Sequence, residues 1–238
     1  MPIDDFAGKR RYHVYMSNSC KICGEETQII NDRKFKQNYY FCRVCLFISL
    51  EEAKTPSPEE EKEDYLTHDN SFKCQGYVNM HKEFIEKAVA PFISPPADVL
   101  DFGCGHGPVL AHLLKENGFQ VDAYDIYFAP EKVFENKSYD LITSTEVVEH
   151  LKDPLRELKL LKKLLKPGGF LAVMTLFHPD DEKEFLEWYY KREISHIAFY
   201  TPKTMRKIAD ILGFRIVHLD DRNLCVFQSE IENHVKQS

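Results

Sequence analysis

Residues 101–107 read Asp-Phe-Gly-Cys-Gly-His-Gly, three glycines at alternate positions directly after the apolar run Ala97-Asp98-Val99-Leu100-Asp101-Phe102. The run has the character of a buried strand, and the stretch 108–118, Pro-Val-Leu-Ala-His-Leu-Leu-Lys-Glu-Asn-Gly, carries helical spacing with Pro at its start and Gly at its end. A Gly-rich turn between strand and helix receives a ligand on free backbone N–H groups at the carboxyl end of a parallel sheet. Dinucleotide sites use G-x-G-x-x-G and open onto a pyrophosphate. Here the spacing is G-x-G-x-G behind Asp101, whose carboxylate would repel a pyrophosphate and suits the ammonium of a bound amino acid.

Outward from this turn, strand and helix alternate. Strands are expected over 119–125, 139–144 and 170–177. A Leu-rich helix over 153–166 is capped by Asp153, opened by Pro154 and stopped by Pro167-Gly168-Gly169. A last helix over 201–212 breaks at Gly213, and 214–219 with 224–227 form an antiparallel hairpin across the tight connector Asp220-Asp221-Arg222-Asn223. This succession implies an α/β fold with a parallel, Rossmann-like sheet, right-handed crossovers and a C-terminal antiparallel hairpin. Before the turn, Met80, Phe84, Ile85, Ala88 and Val89 recur at helical spacing.

Two further motifs fall where such a sheet would bind its ligand. Asp125 ends the next strand, 24 residues beyond Asp101, near the spacing at which an acid accepts hydrogen bonds from ribose hydroxyls. Tyr127 and Phe128 follow and can pack on a base or in the core. The second motif is Thr-Ser-Thr-Glu-Val-Val-Glu-His-Leu-Lys-Asp-Pro (143–154). With the glycine loop and Asp125 it resembles class I S-adenosylmethionine-dependent methyltransferases, in particular the ubiquinone-biosynthesis type. The resemblance covers about 96–228. It implies transfer of a methyl group from S-adenosylmethionine to an acceptor, a small molecule by preference, with cofactor contacts from Asp101, Gly103, Cys104, Gly105, Gly107, Asp125, Ile126, Tyr127, Thr145 and Glu146. Ser144 would lie along the methionine portion, and Glu146 would sit near the transferred methyl as a catalytic residue. His150 reads either as a hydrogen-bonding residue at the start of a helix or as a base. The acids and histidine of Glu-Val-Val-Glu-His have no fitting partner set elsewhere in the sequence, so no metal is expected there. Only 14 residues run from Asp125 to Tyr139, too few for the usual helix and third strand, so something else must cover the adenine. Tyr65, His68, Asn70 and Tyr77 are the expected lid.

Cys20-x-x-Cys23 and Cys42-x-x-Cys45 are two knuckles with the spacing of a tetrathiolate site, and they predict structural zinc in a small zinc-ribbon-like module, with an iron centre or redox dithiol as alternatives. Four thiolates leave no open position for catalysis. The expected organisation is a zinc-binding module over 1–50, linker and lid helices over 51–95, and a methyltransferase domain over 96–238. A zinc knuckle before such a domain is similar to deoxysugar C-methyltransferases and to certain ribosomal RNA guanine methyltransferases. It is similar also to a bacterial methyltransferase group that shares both cysteine pairs, His68-x-Asn70, Glu-Val-Val-Glu-His and the Trp188-Tyr189-Tyr190…His196-x-x-Phe199-Tyr200-Thr201-Pro202 segment. An alternative is a module that docks RNA or protein through its knuckle.

The insertion 177–205 would wall the acceptor site. Phe185, Trp188, Tyr189, Phe199 and Tyr200 could line an apolar pocket or pack as core, and His178 and His196 are the expected bases for an oxygen or carbon acceptor.

The chain as a whole bounds these readings. Its 238 residues carry a net charge of −7, with eight Lys/Arg against five Asp/Glu up to Leu50 and 23 against 33 beyond. That balance gives no general attraction to nucleic acid or anionic lipid. No stretch approaches the roughly 20 apolar residues of a membrane span, and Met1–Met16 lacks a secretory apolar core, so a cytoplasmic protein with reduced thiols is expected.

Overall fold

The computed structural model describes residues 19–230, so the first eighteen residues of the 1–50 module, with the expected absence of a leader, and the last eight of the 96–238 domain lie outside the described residues. From the start, β1 (Gln28–Asp32), β2 (Gln37–Phe41) and β3 (Ile48–Leu50) form an antiparallel meander beside the two cysteine knuckles. Then α1 (Pro58–Tyr65) begins with a reciprocal cap. The Ser57 hydroxyl accepts from the Glu60 amide, and the Glu60 carboxylate accepts from the Ser57 amide. Next come α2 (Gln75–Phe84), continued by a π-turn over Ile85–Val89, and β4 (Asp98–Phe102). α3 (Val109–Glu116) and β5 (Gln120–Tyr124) complete the first β-α-β unit, followed by β6 (Tyr139–Thr145), α4 (Pro154–Leu164) and β7 (Leu165–Met174). The chain closes through α5 (Glu182–Glu187), the two-residue β8 (Ala198–Phe199), α6 (Pro202–Leu212), β9 (Arg215–Leu219) and β10 (Leu224–Gln228).

The large sheet has the order β5-β4-β6-β7-β10-β9, parallel through its first four strands and antiparallel at β10 and β9. Both the Rossmann-like sheet and the terminal hairpin match the expectation. Asp220 sets the hairpin turn, its Oδ1 accepting from the amides of Arg222, Asn223 and Leu224. Beyond β5 the sheet simply ends: residues 125–138 make one isolated bridge, Asp125 to Ala129, and no strand. One element boundary differs from the expectation. Pro167-Gly168-Gly169 does not stop a helix, since α4 ends at Leu164 and β7 runs straight through the triplet. A Cβ on Gly169 would lie 2.9–3.2 Å from the carbonyl oxygens of Lys166, Tyr139 and Asp140, so the glycine lets β7 pass close to β6.

The cysteine module is not a separate bead. Strand β3 pairs with β8 of the insertion, giving a second sheet of order β1-β2-β3-β8. Ile30, Tyr39, Ile48 and Leu50 share one core with Phe185, Tyr190, Ile197 and Phe199, and the module's Cys42, Cys45 and Phe47 pack into the core that contains Leu100 and Ile142 of the large sheet. A buried ion pair, Lys191 with Asp32, adds a charged tie between insertion and module. No helix among the described residues is long and apolar enough to cross a membrane.

Candidate functional site

The glycine loop sits at the carboxyl end of β4, between its neighbours β5 and β6. Its three glycines answer to three different constraints. Gly103 has φ +83°, and a Cβ there would lie 2.3 Å from Val147 Cγ2. Gly107 is pressed by the lid, because its Cβ would lie 1.9 Å from the Asn70 carbonyl oxygen. Gly105 has φ +65° and nothing within 4 Å, so it faces open space. Its amide donates to Asp125 Oδ2 at 3.0 Å, while Asp125 Oδ1 accepts from the amides of Tyr127 and Phe128. One carboxylate thus fixes the loop and the following turn together. Oδ2 retains a lone pair for a further donor.

That open space is a cavity of about 680 Å³. Among the expected cofactor residues, Gly103, Gly105, Asp125, Ile126, Tyr127, Thr145 and Glu146 line it, as do all four lid residues, Tyr65, His68, Asn70 and Tyr77. Ile126 is 66% exposed, an apolar surface turned into the cavity mouth. Asp101, Cys104 and Gly107 lie behind the wall. The Asp101 carboxyl is fully buried, accepts from the Thr143 hydroxyl at 2.9 Å and leaves Oδ2 unpartnered; burial pushes it up to about 7. It supports the loop from beneath, and the expected direct contact with an ammonium is not what this geometry provides.

On the opposite side the wall is made of side chains. Glu146 follows β6 directly and lies in the left-handed region, φ +53°, with its side chain lining the cavity. Tyr190 lies beside it. Its hydroxyl is 2.9 Å from Glu146 Oε2 and also hydrogen-bonds Glu149 Oε1. A phenol carries one hydrogen, so it cannot donate to two carboxylates at once. Burial raises both carboxyls, Glu149 the more strongly, where the Glu146 charge adds to the rise. His150 and His196 also line the cavity, ring centroids 4.9 Å apart, and burial lowers them to about 4 and about 3.

Some expectations fail here. His178 does not reach the cavity: Nδ1 lies 2.8 Å from the Pro179 carbonyl and Nε2 2.7 Å from the Leu46 carbonyl, which ties the module to the insertion. Phe185, Trp188, Phe199 and Tyr200 are core residues, and only Tyr189 of the five named aromatics lines the cavity. Conversely Tyr190, Glu149 and Ser195 belong to the site or its support without having been singled out by sequence for that role. Tyr190 is the third member of Trp-Tyr-Tyr, and only the chain's turn at Tyr189 separates it from its exposed neighbour.

The four knuckle cysteines converge as the spacing predicts. Their sulfurs lie within 4.8 Å of one another, with Cys20 to Cys45 at 3.5 Å and Cys23 to Cys42 at 3.3 Å. Four thiolates at 2.3 Å from one zinc would sit about 3.8 Å apart. Contact with Cys45 lowers Cys20 to about 5, the Cys45 thiol rises in return, and burial lifts Cys23 to about 11. The donor set fits a tetrathiolate zinc.

A family model described as a methyltransferase domain matches residues 77–219. Ubiquinone biosynthesis O-methyltransferase of Nitrosospira multiformis is 29% identical over 125 residues, 42% of this chain and 48% of that protein. The enzyme of that name from Xanthomonas campestris is 35% identical over 108 residues, 34% and 44% of the two chains. The chain thus spans about half the length of the curated relatives it matches. Among solved structures, the [4+2]-cyclase SpnF superposes with a TM-score of 0.50 at 12% identity, covering 66% of this chain and 82% of that one. That last likeness shows the fold, which by itself does not fix a reaction.

Proposed function

The chain belongs to the methyltransferase domain family, and from that premise we propose that it transfers a methyl group from S-adenosylmethionine to an oxygen of a small-molecule acceptor. The observation that carries the reading is the open wall at Gly105 and Asp125, backbone and carboxylate facing a cavity that no side chain fills. The printed name of the relatives supports an oxygen acceptor, and a cavity of this size suits a small one.

The bound sulfonium supplies an electrophilic methyl. Everything else is positioning by the protein. Asp125 Oδ2 takes a ribose hydroxyl on its remaining lone pair, and Ile126 and Tyr127 offer the base an apolar face in place of the absent third strand. Thr145 and Glu146 flank the path of the methyl. The lid residues Tyr65, His68, Asn70 and Tyr77 exclude water above it. Glu146, whose carboxylate faces the cavity beside Thr145, would take the proton that the acceptor oxygen gives up on methylation. Cys20, Cys23, Cys42 and Cys45 would hold zinc as a structural ion, which would fix the β1-β2-β3-β8 sheet and, through Lys191 and Asp32, the acceptor wall.

Titration calorimetry with S-adenosylhomocysteine and with nicotinamide dinucleotide tests this. Saturable binding of the former is expected, weakened at least about tenfold in Asp125→Ala through lost charged hydrogen bonds. Binding of the dinucleotide alone would overturn the proposal.

A further inference from the structure

One side of α2 faces the cavity: Tyr77, Met80 and His81, three and four positions apart on the helix, all line it. His81 is the member that its surroundings do not explain. It is 2% exposed, and neither Nδ1 nor Nε2 has a hydrogen-bond partner among the described residues. Burial lowers the imidazole to about 4, so at neutral pH it carries one N–H and one lone pair. A buried donor or acceptor left alone destabilises the fold, and this ring has one of each. The Tyr77 ring stands against it, centroids 4.4 Å apart and planes at 82°, a contact that satisfies neither nitrogen.

The charges around this end say what the ring can serve. Burial first, then the neighbouring Asp101, Glu146, Cys104 and Asp125, raise the Tyr77 phenol, so the inner side of α2 lies beside three carboxyls and the glycine loop. Such a place suits the ammonium of an amino acid and leaves its carboxylate in need of a donor. The formal cations that line the cavity among the described residues, Lys152 and Arg156, flank the start of α4. The loop's own histidine, His106, is exposed and stands against Phe128. From this juxtaposition we infer that His81 is a cofactor-binding residue: its ring N–H receives the α-carboxylate of S-adenosylmethionine and sets a preference for nucleosides that carry an amino-acid end. The inference rests on the methyl-transfer reading. Because the ring lines the cavity while its nitrogens are covered, the contact requires a side-chain rotation at His81 or Tyr77.

Calorimetry on the full chain with two ligands tests it: S-adenosylhomocysteine, and 5′-methylthioadenosine, which keeps the nucleoside and its sulfur and lacks the amino-acid end. Wild type should bind the former at least about tenfold more tightly, the strength of one charge-assisted hydrogen bond. His81→Phe keeps a buried ring and has no donor. It should lose that margin, hold its affinity for 5′-methylthioadenosine within about twofold, and unfold at a higher temperature than wild type, since no polar group is left unpaired. His81→Gln restores an N–H and should recover part of the margin, which keeps the test open where the larger ring disturbs packing. An unchanged margin in His81→Phe, or an equal loss for both nucleosides, would overturn the assignment, the first by showing that a buried water meets the ring. In either case the methyl-transfer reading stands, because S-adenosylhomocysteine still binds wild type. Binding of neither nucleoside by wild type overturns that reading and the assignment with it.

Discussion

The two ends of the cavity are built from different materials. At the loop end the wall is mostly backbone, with the conformations of Gly103 and Gly105 and one carboxylate, Asp125, gathering three amides. At the far end it is side chains from segments distant in sequence: Glu146 and His150 after β6, Tyr190 and His196 in the insertion, Tyr65 at the end of α1 and His68 just beyond it. Backbone walls depend on local geometry held by the sheet. Side-chain walls depend on whatever holds the segments together, which here is the cysteine module. The two ends should therefore fail independently.

The largest effect follows from that division. Structural zinc supplies about 10–16 kcal/mol to small zinc domains, and β8 and the core of the insertion lean on this module. Trp188, the chain's single tryptophan, packs against Phe185, Tyr190 and Phe199 in that shared core. Chelating the metal, or Cys42→Ser, should shift Trp188 fluorescence to the red and create an early unfolding step. Affinity for S-adenosylhomocysteine should change less than about threefold, since a site distant from the lesion adds independently. Unmoved fluorescence would show that the module does not hold the acceptor wall, and loss of the nucleoside affinity would show that the ends are one unit.

The same contrast explains what could be read from the sequence. The loop end was legible because strand, glycine turn, helix and Asp125 fall within some 25 consecutive residues, and each follows from local stereochemistry. The cysteine convergence was legible for the same reason. The acceptor end was not. Strand β8 is two residues long and exists only because β3 lies beside it. His178 and His196 look equivalent as sequence, yet one ties carbonyls together in the interior and the other reaches the cavity. Aromatic spacing in the insertion marked burial correctly without saying which rings face core. Pro167-Gly168-Gly169 misled because a helix stop and a close strand crossing call for the same residue.

A pH dependence probes the support beneath the loop end. Asp101 is raised from 3.8 to about 7 by burial first, with the Thr143 hydroxyl and the Ala111 backbone opposing it and the Asp125 charge adding to it. In the unfolded chain the same carboxyl titrates near 3.9. Below both values it is protonated in either state and costs nothing. Between about 4 and 7 the unfolded chain ionises while the folded one does not, so the stability from this group is lost as pH rises through 7. Three units correspond to about 4 kcal/mol. Asp101→Asn keeps an acceptor for Thr143 and cannot ionise. Urea unfolding of both proteins should show the variant gaining on wild type from pH 4 to pH 8. A constant difference would mean that Asp101 is ionised in the folded loop, held by a charge or water that the buried Oδ2 does not reveal.

The smallest effects come from separating the glycines. Gly103→Ala meets Val147 at 2.3 Å and adopts φ +83°, so overpacking of about 1–3 kcal/mol adds to left-handed strain of about 1–2 kcal/mol. Gly105→Ala at φ +65° meets nothing within 4 Å and should carry the strain alone. Stability would thus fall by more at Gly103. Binding should reverse the order, because the new methyl at Gly105 projects into the space where the nucleoside is proposed to lie, whereas the one at Gly103 points at Val147. Val147→Ala should recover much of the stability of Gly103→Ala and none of the affinity of Gly105→Ala. If both alanine variants lose affinity in proportion to stability, the loop is only a tight turn, and the cavity's ligand is gripped by the side-chain end instead.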